Sequence, residues 1–414
     1  MGRLWRLADN ILRCGRNRRN RILRTPNAQA KRILTEPDTG RKAALVYSDQ
    51  LSSHVLSDAH PMRPIRLAHT YELMLQSGLL EAPSATVVSP REATESELTR
   101  VHSVEYVQAV RSLSSGLDSN GGLSYGFGSG DNPVYDGIYQ AQALTAGSAM
   151  VAMELVDSGD YDVAFAPAAG LHHAMPTRAS GFCVFNDPAM IIQAMVDVGR
   201  RVVYIDIDCH HGDGVQHIFY DTDQVLTISL HESGQFLFPG SGFVGDIGTG
   251  KGEGYSVNVP LAPHTGDDVY EVAFDAVITP LTRAFKPDVI VTQLGMDTHV
   301  FDPITHLRLT TQGFARSVAK LAVLASESGK WIALGGGGYD LGAVARGWSM
   351  AFAVMSGQRI PDKIPASFDA IEGIVNFADV PPGDPDPTVA SLITAFADRS
   401  IEEITKTLFP RFGI

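Results

Sequence analysis

Aspartate and histidine recur in one short run of the sequence, Tyr204 to Gly214, which contains Asp206, Asp208 and His210. In an extended strand every second residue faces the same side, so we expect these three side chains to share a face. One imidazole and one carboxylate from this run, joined by Asp297, would supply three nitrogen or oxygen ligands. Such a set is typical of a catalytic divalent metal ion, which predicts Zn²⁺ first, although Fe²⁺ suits the same ligands. Alternatively, the two aspartates of the run only cap the glycine-rich turn that follows them.

Two adjacent histidines, His172 and His173, form a second group that could do chemistry. Two imidazoles beside a metal ion can divide acid and base work when different carboxylates tune their pKa values apart. Asp206 and Asp213 are available for this purpose. A His-His pair taken alone is more often a chance feature of the surface, so the prediction depends on these carboxylates.

Tyr339 follows a run of four glycines, Gly335 to Gly338. The run lacks the spaced pattern of a dinucleotide-binding turn, and no phosphate-binding lysine follows it. Glycines would let the backbone approach a ligand closely and hold the Tyr339 hydroxyl beside it. A phenol there can donate a hydrogen bond to a carbonyl whose oxygen gains charge. The alternative is a hinge with a tyrosine that only packs.

The elements that must hold these residues are short apolar runs alternating with helical patterns. The runs predict strands at 43–48, 162–167, 201–208, 224–230, 288–295 and 331–336. The helical patterns cover 66–77, 135–156, 188–198, 214–220, 267–284, 311–328, 342–355 and 387–408. This alternation predicts an α/β fold, with a mostly parallel central sheet and helices on both faces. Ligands of such sheets bind beyond the carboxyl ends of the strands, where the reactive residues of four predicted strands would meet.

Charge is distributed unevenly along the 414 residues. Residues 1–42 carry twelve Lys or Arg and three acidic residues, whereas the remainder carries 21 basic and 43 acidic residues. A body this acidic repels a nucleic-acid backbone, so we expect no nucleic-acid partner for it. No apolar run approaches the roughly 20 residues that a membrane-spanning helix needs. Three cysteines are too few for a disulfide framework, which indicates a reducing compartment and a cytoplasmic location.

Six segments together resemble the zinc-dependent histone deacetylase superfamily, which has an arginase-like α/β fold. The resemblance extends from about residue 43 to 357 with the family's order and spacing, and it points to the bacterial acetoin-utilization branch. The segments are GLHHAMPTRASGFCVFND (170–187), YIDIDCHHGDGVQHIFY (204–220), SLHESGQFLFPGSG (229–242), GKGEGYSVNVP (250–260), QLGMDT (293–298) and LGGGGY (334–339). We therefore predict a basic, disordered extension (1–40), a single deacetylase catalytic domain (41–360) and a C-terminal segment that packs on it (361–414).

The resemblance implies an enzyme that hydrolyses the amide of acetylated lysine side chains. It implies Asp208, His210 and Asp297 as zinc ligands. It also implies His173 as the general base and then the general acid, with Asp213 orienting it.

Further roles also follow from the resemblance. His172 would pair with Asp206 and act electrostatically, and Tyr339 would polarise the acetyl carbonyl. Arg66 would lie near an inner acetate cavity. The substrate would be bound by Asp131, Gly181, Phe182, Phe238 and Ile304. A structural K⁺ ion would lie near Asp206, Asp208, His210, Ser229 and Leu230.

Some positions depart from the family pattern. Leu171 stands where eukaryotic class I members have tryptophan, and Ala169-Gly170 stands in place of Gly-Gly, which changes the floor of the site. Ile304 stands where polyamine deacetylases can carry an acidic residue, so a cationic polyamine is disfavoured. The expected substrate is an acetylated protein, with an acyl-CoA synthetase as a candidate. The alternatives are an acetylpolyamine or other small-molecule deacetylase and a non-catalytic module that binds acyl-lysine.

Overall fold

The computed structural model describes Leu34, residues 40–57, 59–115 and 121–414. The predicted disordered extension, residues 1–40, lies outside this description except for Leu34 and Gly40. The division into a catalytic domain and a C-terminal segment stays a prediction. Among the described residues, no helix combines the length and the apolar character that crossing a bilayer would require.

Eight strands form one sheet, and all neighbouring strands in it are parallel. The strands are β1 (Ala43–Val46), β2 (Ala85–Val88), β3 (Val163–Ala166), β4 (Val202–Asp206), β5 (Val225–Glu232), β6 (Ser256–Leu261), β7 (Val289–Gln293) and β8 (Trp331–Leu334). Their order across the sheet is β2-β1-β3-β8-β7-β4-β5-β6. The predicted parallel α/β architecture is confirmed.

Helices cover both faces of the sheet. They are α1 (Ile65–Gln76), α2 (Glu95–Leu98), α3 (Val104–Ser114), α4 (Ile138–Asp157), α5 (Asp187–Asp197), α6 (Asp213–Ile218), α7 (Asp267–Ala273), α8 (Thr279–Phe285), α9 (Thr311–Ser328), α10 (Leu341–Met355) and α11 (Pro387–Thr407). A π-helical turn, Phe274–Ile278, joins α7 to α8, and short 3₁₀ turns occupy Asp49–Ser52, Gly121–Tyr125, Gly250–Gly252 and Phe409–Phe412.

The alternation of side chains along each strand divides the core into two apolar layers. Ala43 and Leu45 of β1 join the layer beneath α1, α7, α8, α9 and α10. Ala44 and Val46 of the same strand join the layer beneath α3, α4 and α5. Burial on both faces explains why the central strands are almost continuously apolar.

The strands that deliver the predicted reactive residues are neighbours at the centre of the sheet. In the register of the sheet, Asp206 at the end of β4 lies opposite Gln293 of β7, which lies opposite Leu334 of β8. β3 completes this group on the far side of β8. The loops after these four strands therefore begin side by side.

One local prediction was wrong. The strand was expected to continue to Asp208 and to place Asp206, Asp208 and His210 on one face, but β4 ends at Asp206. Beyond it, Asp206 Oδ1 accepts a hydrogen bond from the Asp208 amide, and Asp208 Oδ1 accepts one from the His210 amide. These side-chain acceptors replace strand pairing and turn the backbone. The suggestion that both aspartates cap this turn is correct, and it does not exclude a second role.

Candidate metal centre and active site

Three buried side chains, Asp208, His210 and Asp297, converge beyond the ends of β4 and β7. One ligand atom from each lies within 4.8 Å of the other two. Nδ1 of His210 is 3.1 Å from Asp208 Oδ1 and 2.9 Å from Asp297 Oδ2. One ring nitrogen carries at most one proton, and that proton can point at only one carboxylate. A divalent cation would satisfy all three groups together, so the donor set fits a metal ion.

The two carboxylates of this cluster titrate differently because their surroundings differ. Burial, reinforced by the charge of Asp208, raises the pKa of Asp297 to about 8. Burial also acts to raise the pKa of Asp208, but the charge of His172 and contacts with His210 outweigh it and lower this pKa well below the usual range. Without a cation, the Asp297 carboxyl therefore tends to hold a proton at neutral pH.

Backbone and amide donors orient both carboxylates. Asp208 Oδ2 accepts hydrogen bonds from Gln293 Nε2 at 2.6 Å and from the Gly337 amide at 2.8 Å. Asp297 Oδ1 accepts one from the Cys209 amide at 2.8 Å. Each carboxylate thus keeps its other oxygen, Asp208 Oδ1 or Asp297 Oδ2, next to His210. Contacts of this kind fix the orientation of metal ligands.

Two glycines are required where the backbone passes these carboxylates. A Cβ atom at Gly295 would lie 2.2 Å from Asp208 Oδ2, and one at Gly337 would lie 2.1 Å from Asp297 Oδ2. Both distances are far shorter than any non-bonded contact, so a side chain would displace a carboxylate. The predicted role of the glycine run, close approach of backbone to the site, is thus seen at Gly337.

Each histidine of the adjacent pair has its own carboxylate. His172 Nδ1 lies 2.7 Å from Asp206 Oδ2, and His173 Nδ1 lies 2.7 Å from Asp213 Oδ1. The two Nε2 atoms are 3.1 Å apart, so at most one of them carries a proton in this hydrogen bond. The tandem histidines are buried and paired, which excludes the surface alternative.

The two imidazoles differ in pKa. Burial alone would lower the pKa of His172, but the charges of Asp206 and Asp208 outweigh it and raise the value to about 9. Burial lowers the pKa of His173 to about 4. The charge of His172 also lowers this pKa, whereas Asp213 acts to raise it. At neutral pH His172 is therefore the protonated partner, and His173 presents a lone pair at Nε2.

Two buried residues at the start of α5 hold the loop that carries this pair. Asn186 donates from Nδ2 to the carbonyl oxygens of His172 and Ala174, at 3.2 and 2.9 Å. Asp187 accepts hydrogen bonds from the Gly170 and Leu171 amides. Burial raises the pKa of Asp187 to about 7 against the effect of these amides.

Tyr339 is fixed at both its backbone and its ring. Its amide donates to Asp302 Oδ2 at 2.9 Å, and its ring packs edge-on against Phe182 with 5.7 Å between centroids. Burial raises the pKa of the Tyr339 phenol well above its ordinary value, and the charges of Asp297 and Asp208 add to this effect. The phenol therefore keeps its proton and is a hydrogen-bond donor.

Aromatic rings stand beside the histidines and the tyrosine. Phe238 packs edge-on against His173 at 5.1 Å and against His210 at 6.4 Å between centroids. Gly181 has φ +51°, and a Cβ atom there would lie 2.5 Å from His173 and 2.9 Å from Phe238. Phe182 follows with φ +69°. Of the predicted substrate residues, Gly181 and Phe238 thus lie beside His173, and Phe182 lies beside Tyr339.

The other two predicted substrate residues, Asp131 and Ile304, lie on separate loops. Asp131 is exposed, and its backbone oxygen is 3.1 Å from Nε2 of His60, whose ring packs against Phe182 at 4.6 Å. Ile304 is half-buried, and its amide donates to Asp302 Oδ1 at 3.1 Å. Asp131 is therefore connected to Phe182 through His60, and Ile304 to Tyr339 through Asp302.

Three of the residues predicted to surround a K⁺ ion, Asp206, Ser229 and Leu230, lie together where β4 ends beside β5. Asp206 lies opposite Ser229 in the register of these strands, and Leu230 follows in the fully buried part of β5. Ser229 Oγ lies 2.8 Å from Nδ1 of His231. The cation itself stays a prediction.

Arg66 lines a small cavity of about 40 Å³ between α1, α4 and the loop before the histidine pair. The cavity is lined by Leu51, His54, Leu56, Met62, Pro64, Arg66, Leu67, Gln142, Thr145, Ala168, Leu171 and Phe182. The buried Arg66 guanidinium donates to the Gly338 carbonyl at 2.9 Å and lies over the Trp348 ring. Gln142 Oε1 is buried without a hydrogen-bond partner among the described residues. The cavity is thus mostly apolar, with His54, Arg66, Gln142 and Thr145 as its polar lining residues.

Sequence reasoning missed the residues that orient the reactive groups, namely Gln293, Asn186, Asp187 and Asp302. A polar residue at the end of an apolar strand was a usable signal for Gln293, because a buried amide needs partners. His211, which lies in the same run as His210, turns away from the cluster and contacts Ser241 Oγ and Gln216 Oε1.

Comparison with known proteins adds three findings. Residues 60–355 match the family model described as "Histone deacetylase domain". The chain is 40% identical over 322 residues to the "Acetoin utilization protein AcuC" of Bacillus subtilis (strain 168), covering 77% of this chain and 83% of that protein. It is 39% identical over 321 residues to the protein of the same name from Staphylococcus xylosus, covering 76% and 83%.

Two solved structures have the same fold. One is the crystal structure of an HDAC homolog complexed with SAHA, with a TM-score of 0.78 and 29% identity over 88% of this chain and 100% of that one. The other is the crystal structure of an HDAC homolog from Aquifex aeolicus, with a TM-score of 0.77 and 29% identity over 87% and 100%.

Proposed function

This chain belongs to the histone deacetylase family, and we propose that it hydrolyses the amide bond of acetylated lysine side chains in proteins, releasing acetate. One observation carries the proposal. A buried His-His pair, in which each imidazole has its own carboxylate, lies beside a cluster of three candidate metal ligands. Neither a binding module nor a structural ion site needs both groups together.

In this proposal Asp208, His210 and Asp297 hold the metal ion, which is Zn²⁺ or, alternatively, Fe²⁺. Such an ion supplies Lewis-acid polarisation of the amide carbonyl and makes water more acidic. The predicted K⁺ ion near Ser229 and Leu230 would have a structural role.

His173 acts as the base and then as the acid. Its Nδ1 proton is directed to Asp213, so Nε2 is the unprotonated ring nitrogen and would take the proton of the attacking water. The same nitrogen then returns that proton to the departing lysine amine, which could not leave as an anion. His172 keeps its own proton through Asp206, and its positive charge stabilises the negative charge that develops on the substrate.

Tyr339 donates a hydrogen bond to the acetyl oxygen as that oxygen gains negative charge. The raised pKa of the phenol ensures that it is a donor rather than an anion at neutral pH. The Asp302 carboxylate holds the Tyr339 amide, which keeps the ring in place while the substrate binds.

The aromatic rings beside the reacting groups favour a substrate with a linear chain of methylenes. Phe182 and Phe238 present apolar ring surface beside the reacting groups, which suits the four methylenes of a lysine. Asp131 would accept hydrogen bonds from the substrate backbone at the rim, as a protein substrate would provide. Ile304 adds no negative charge for a polyamine to bind. We propose a cytoplasmic protein as the substrate, with an acyl-CoA synthetase as a candidate.

The test is turnover of an acetyl-lysine peptide and of acetylated spermidine by the purified protein, with and without a zinc chelator. We expect acetate release from the peptide, loss with the chelator, and recovery when Zn²⁺ is restored. His173→Gln is the matched inactive control, because it removes the base without touching a metal ligand. Preference for the polyamine would reassign the substrate class. Tight binding of the peptide without acetate release would instead identify a non-catalytic binding module.

A further inference from the structure

A short segment between α10 and α11 contacts the loop that carries Asp297. The Asp379 side chain at this point is only 5% exposed. Its carboxylate accepts hydrogen bonds from three separate elements: His299 Nε2 at 2.8 Å, the Thr311 amide at the start of α9 at 2.7 Å, and Arg346 Nη1 of α10 at 2.6 Å. One carboxylate thus ties together three parts of the molecule.

The orientation of His299 depends on this carboxylate. The His299 ring is buried, and its Nδ1 accepts a hydrogen bond from the Phe301 amide at 3.2 Å. Nδ1 therefore has no proton, and the ring proton is on Nε2, directed to Asp379. Each ring nitrogen has one partner, so the ring plane and the backbone between these residues are fixed from both sides.

The loop anchored in this way carries two parts of the proposed active site. Asp297, two residues before His299, is a candidate metal ligand. Asp302, three residues after it, accepts the amide hydrogen bonds of Ile304 and Tyr339. A shift of the loop between these two aspartates would move a ligand and the tyrosine together.

Backbone hydrogen bonds hold the loop, including one from the Asp302 amide to the His299 carbonyl oxygen at 2.9 Å and one from the His299 amide to the Met296 carbonyl oxygen at 3.2 Å. Val300 and Leu309 pair through one hydrogen bond, and Leu309 and Thr298 pair through another, both at 3.0 Å. These bonds fix the backbone of the loop, whereas the buried His299 ring is held by Asp379.

We propose that Asp379 is a positioning residue, which sets the loop from Asp297 to Asp302 through His299 and so determines both metal affinity and the placement of Tyr339. The proposal rests on the proposed function only in treating Asp297 as a metal ligand. The three hydrogen-bond partners of the Asp379 carboxylate are all donors. An amide in its place must therefore turn its NH₂ group toward at least one donor.

The experiment uses Asp379→Asn in the full-length protein. We expect the dissociation constant for Co²⁺, followed by its visible absorption, to rise about tenfold, as is typical when groups that orient metal ligands are lost. We also expect amide hydrogen exchange in the metal-free protein to become faster at residues 298–305 and 336–340. This second measurement does not require any metal to bind.

The control is Asp275→Asn, which removes a carboxylate partner of the buried Lys320 on α9, a similar charge pair on the far side of the same helix. We expect both variants to lose stability, so stability alone does not distinguish them. A purely structural role of Asp379 would give the same metal affinity and the same loop exchange in both variants, and this would overturn the proposal. If the wild-type protein bound no Co²⁺, the proposed metal site would fail, while the exchange data would still decide whether Asp379 positions the loop.

Discussion

His172 and His173 are adjacent and chemically identical, yet their surroundings give them opposite protonation states. The difference comes from distance to negative charge, because Asp206 and Asp208 both act on His172 while Asp213 alone supports His173. The proton in the 3.1 Å hydrogen bond between the two Nε2 atoms then stays on His172, which leaves His173 in its base form. The pair therefore provides a fixed positive charge and a base in the space of two residues.

Asp206→Asn should change the pH dependence of catalysis in a defined direction. Asp206 raises the pKa of His172, so its loss should lower that pKa from about 9. In the proposed mechanism the active form carries a proton on His172, and this form exists below the pKa of His172. The alkaline limb of kcat/KM against pH should therefore move to lower pH.

Asp213→Asn is the contrasting variant. Asp213 raises the pKa of His173 against the effect of burial, so its loss should lower that pKa below about 4 and move the acidic limb to lower pH. Identical profiles for the two variants would mean that the carboxylates do not act on separate histidines.

Tyr339→Phe should lower kcat by about 10²–10³-fold with little change in KM, because it removes a hydrogen bond that strengthens only as the carbonyl oxygen gains charge. The ring contact with Phe182 and the amide bond to Asp302 would remain. Steady-state kinetics on an acetyl-lysine peptide measure both constants. Wild-type kcat in this variant would remove Tyr339 from the mechanism.

The sequence was sufficient to predict which residues cluster, because Asp208, His210 and Asp297 follow strands whose ends must meet. It was not sufficient to predict what orients them. Gln293 and Asn186 act through amide hydrogen bonds to the loops of the site, and such contacts depend on the path of the backbone. The strand-face argument failed for the same reason, since side-chain acceptors bent the chain directly after Asp206.

At the scale of elements, close packing decides where a helix tolerates only glycine. Gly147 in the middle of α4 faces the backbone of the loop before α2, and a Cβ atom there would lie 1.7 Å from the Arg91 carbonyl oxygen. Gly347 in α10 faces the Met296 side chain, with 2.3 Å to its sulfur. A backbone carbonyl cannot move independently, whereas a methionine side chain can adopt another rotamer.

Gly147→Ala should therefore destabilise the fold by about 1–3 kcal/mol, as overpacking does. Gly347→Ala is the matched control, since both changes gain the roughly 1 kcal/mol of helix propensity that alanine has over glycine. Its overall cost should be clearly smaller because Met296 can move aside. Urea unfolding of the two variants measures the difference, and equal losses would contradict this reasoning.

Strands and helices at the centre of the sheet were predicted well, because burial on both faces makes them continuously apolar. The edges were missed. β2 has only half-buried and exposed residues, and its sequence, ATVV, is too short to give a period. β6 contains Asn258 and Pro260, which are unusual in a buried strand, yet α11 packs on it and buries all six residues. Such burial depends on a helix about 130 residues later in the chain.

At the scale of the whole molecule, the parallel sheet brings all strand ends to one side. β3, β8, β7 and β4 are neighbours, although β3 and β8 are far apart in the chain. The histidine pair, the glycine run, Asp297 and Asp208 therefore meet at one edge, and the two long loops that follow β3 (167–186) and β7 (294–310) carry the pair and Asp297. The same arrangement concentrates buried carboxylates at this edge, and that has a consequence for stability.

Metal binding should stabilise the entire fold. Asp208 and Asp297 are buried side by side, and burial with their mutual repulsion raises the pKa of Asp297 to about 8, so the metal-free site is electrostatically unfavourable. A ligand that binds only the folded state adds about 2.7 kcal/mol at 100 times its dissociation constant. Differential scanning calorimetry should show a higher Tm with Zn²⁺ and a lower one after chelation.

The Asp297→Asn variant removes one proposed ligand and most of the repulsion between the two carboxylates. Its metal-free Tm should equal or exceed that of the wild type, and Zn²⁺ should change it little. A Zn²⁺-dependent rise in Tm as large in this variant as in the wild type would place the stabilising ion elsewhere.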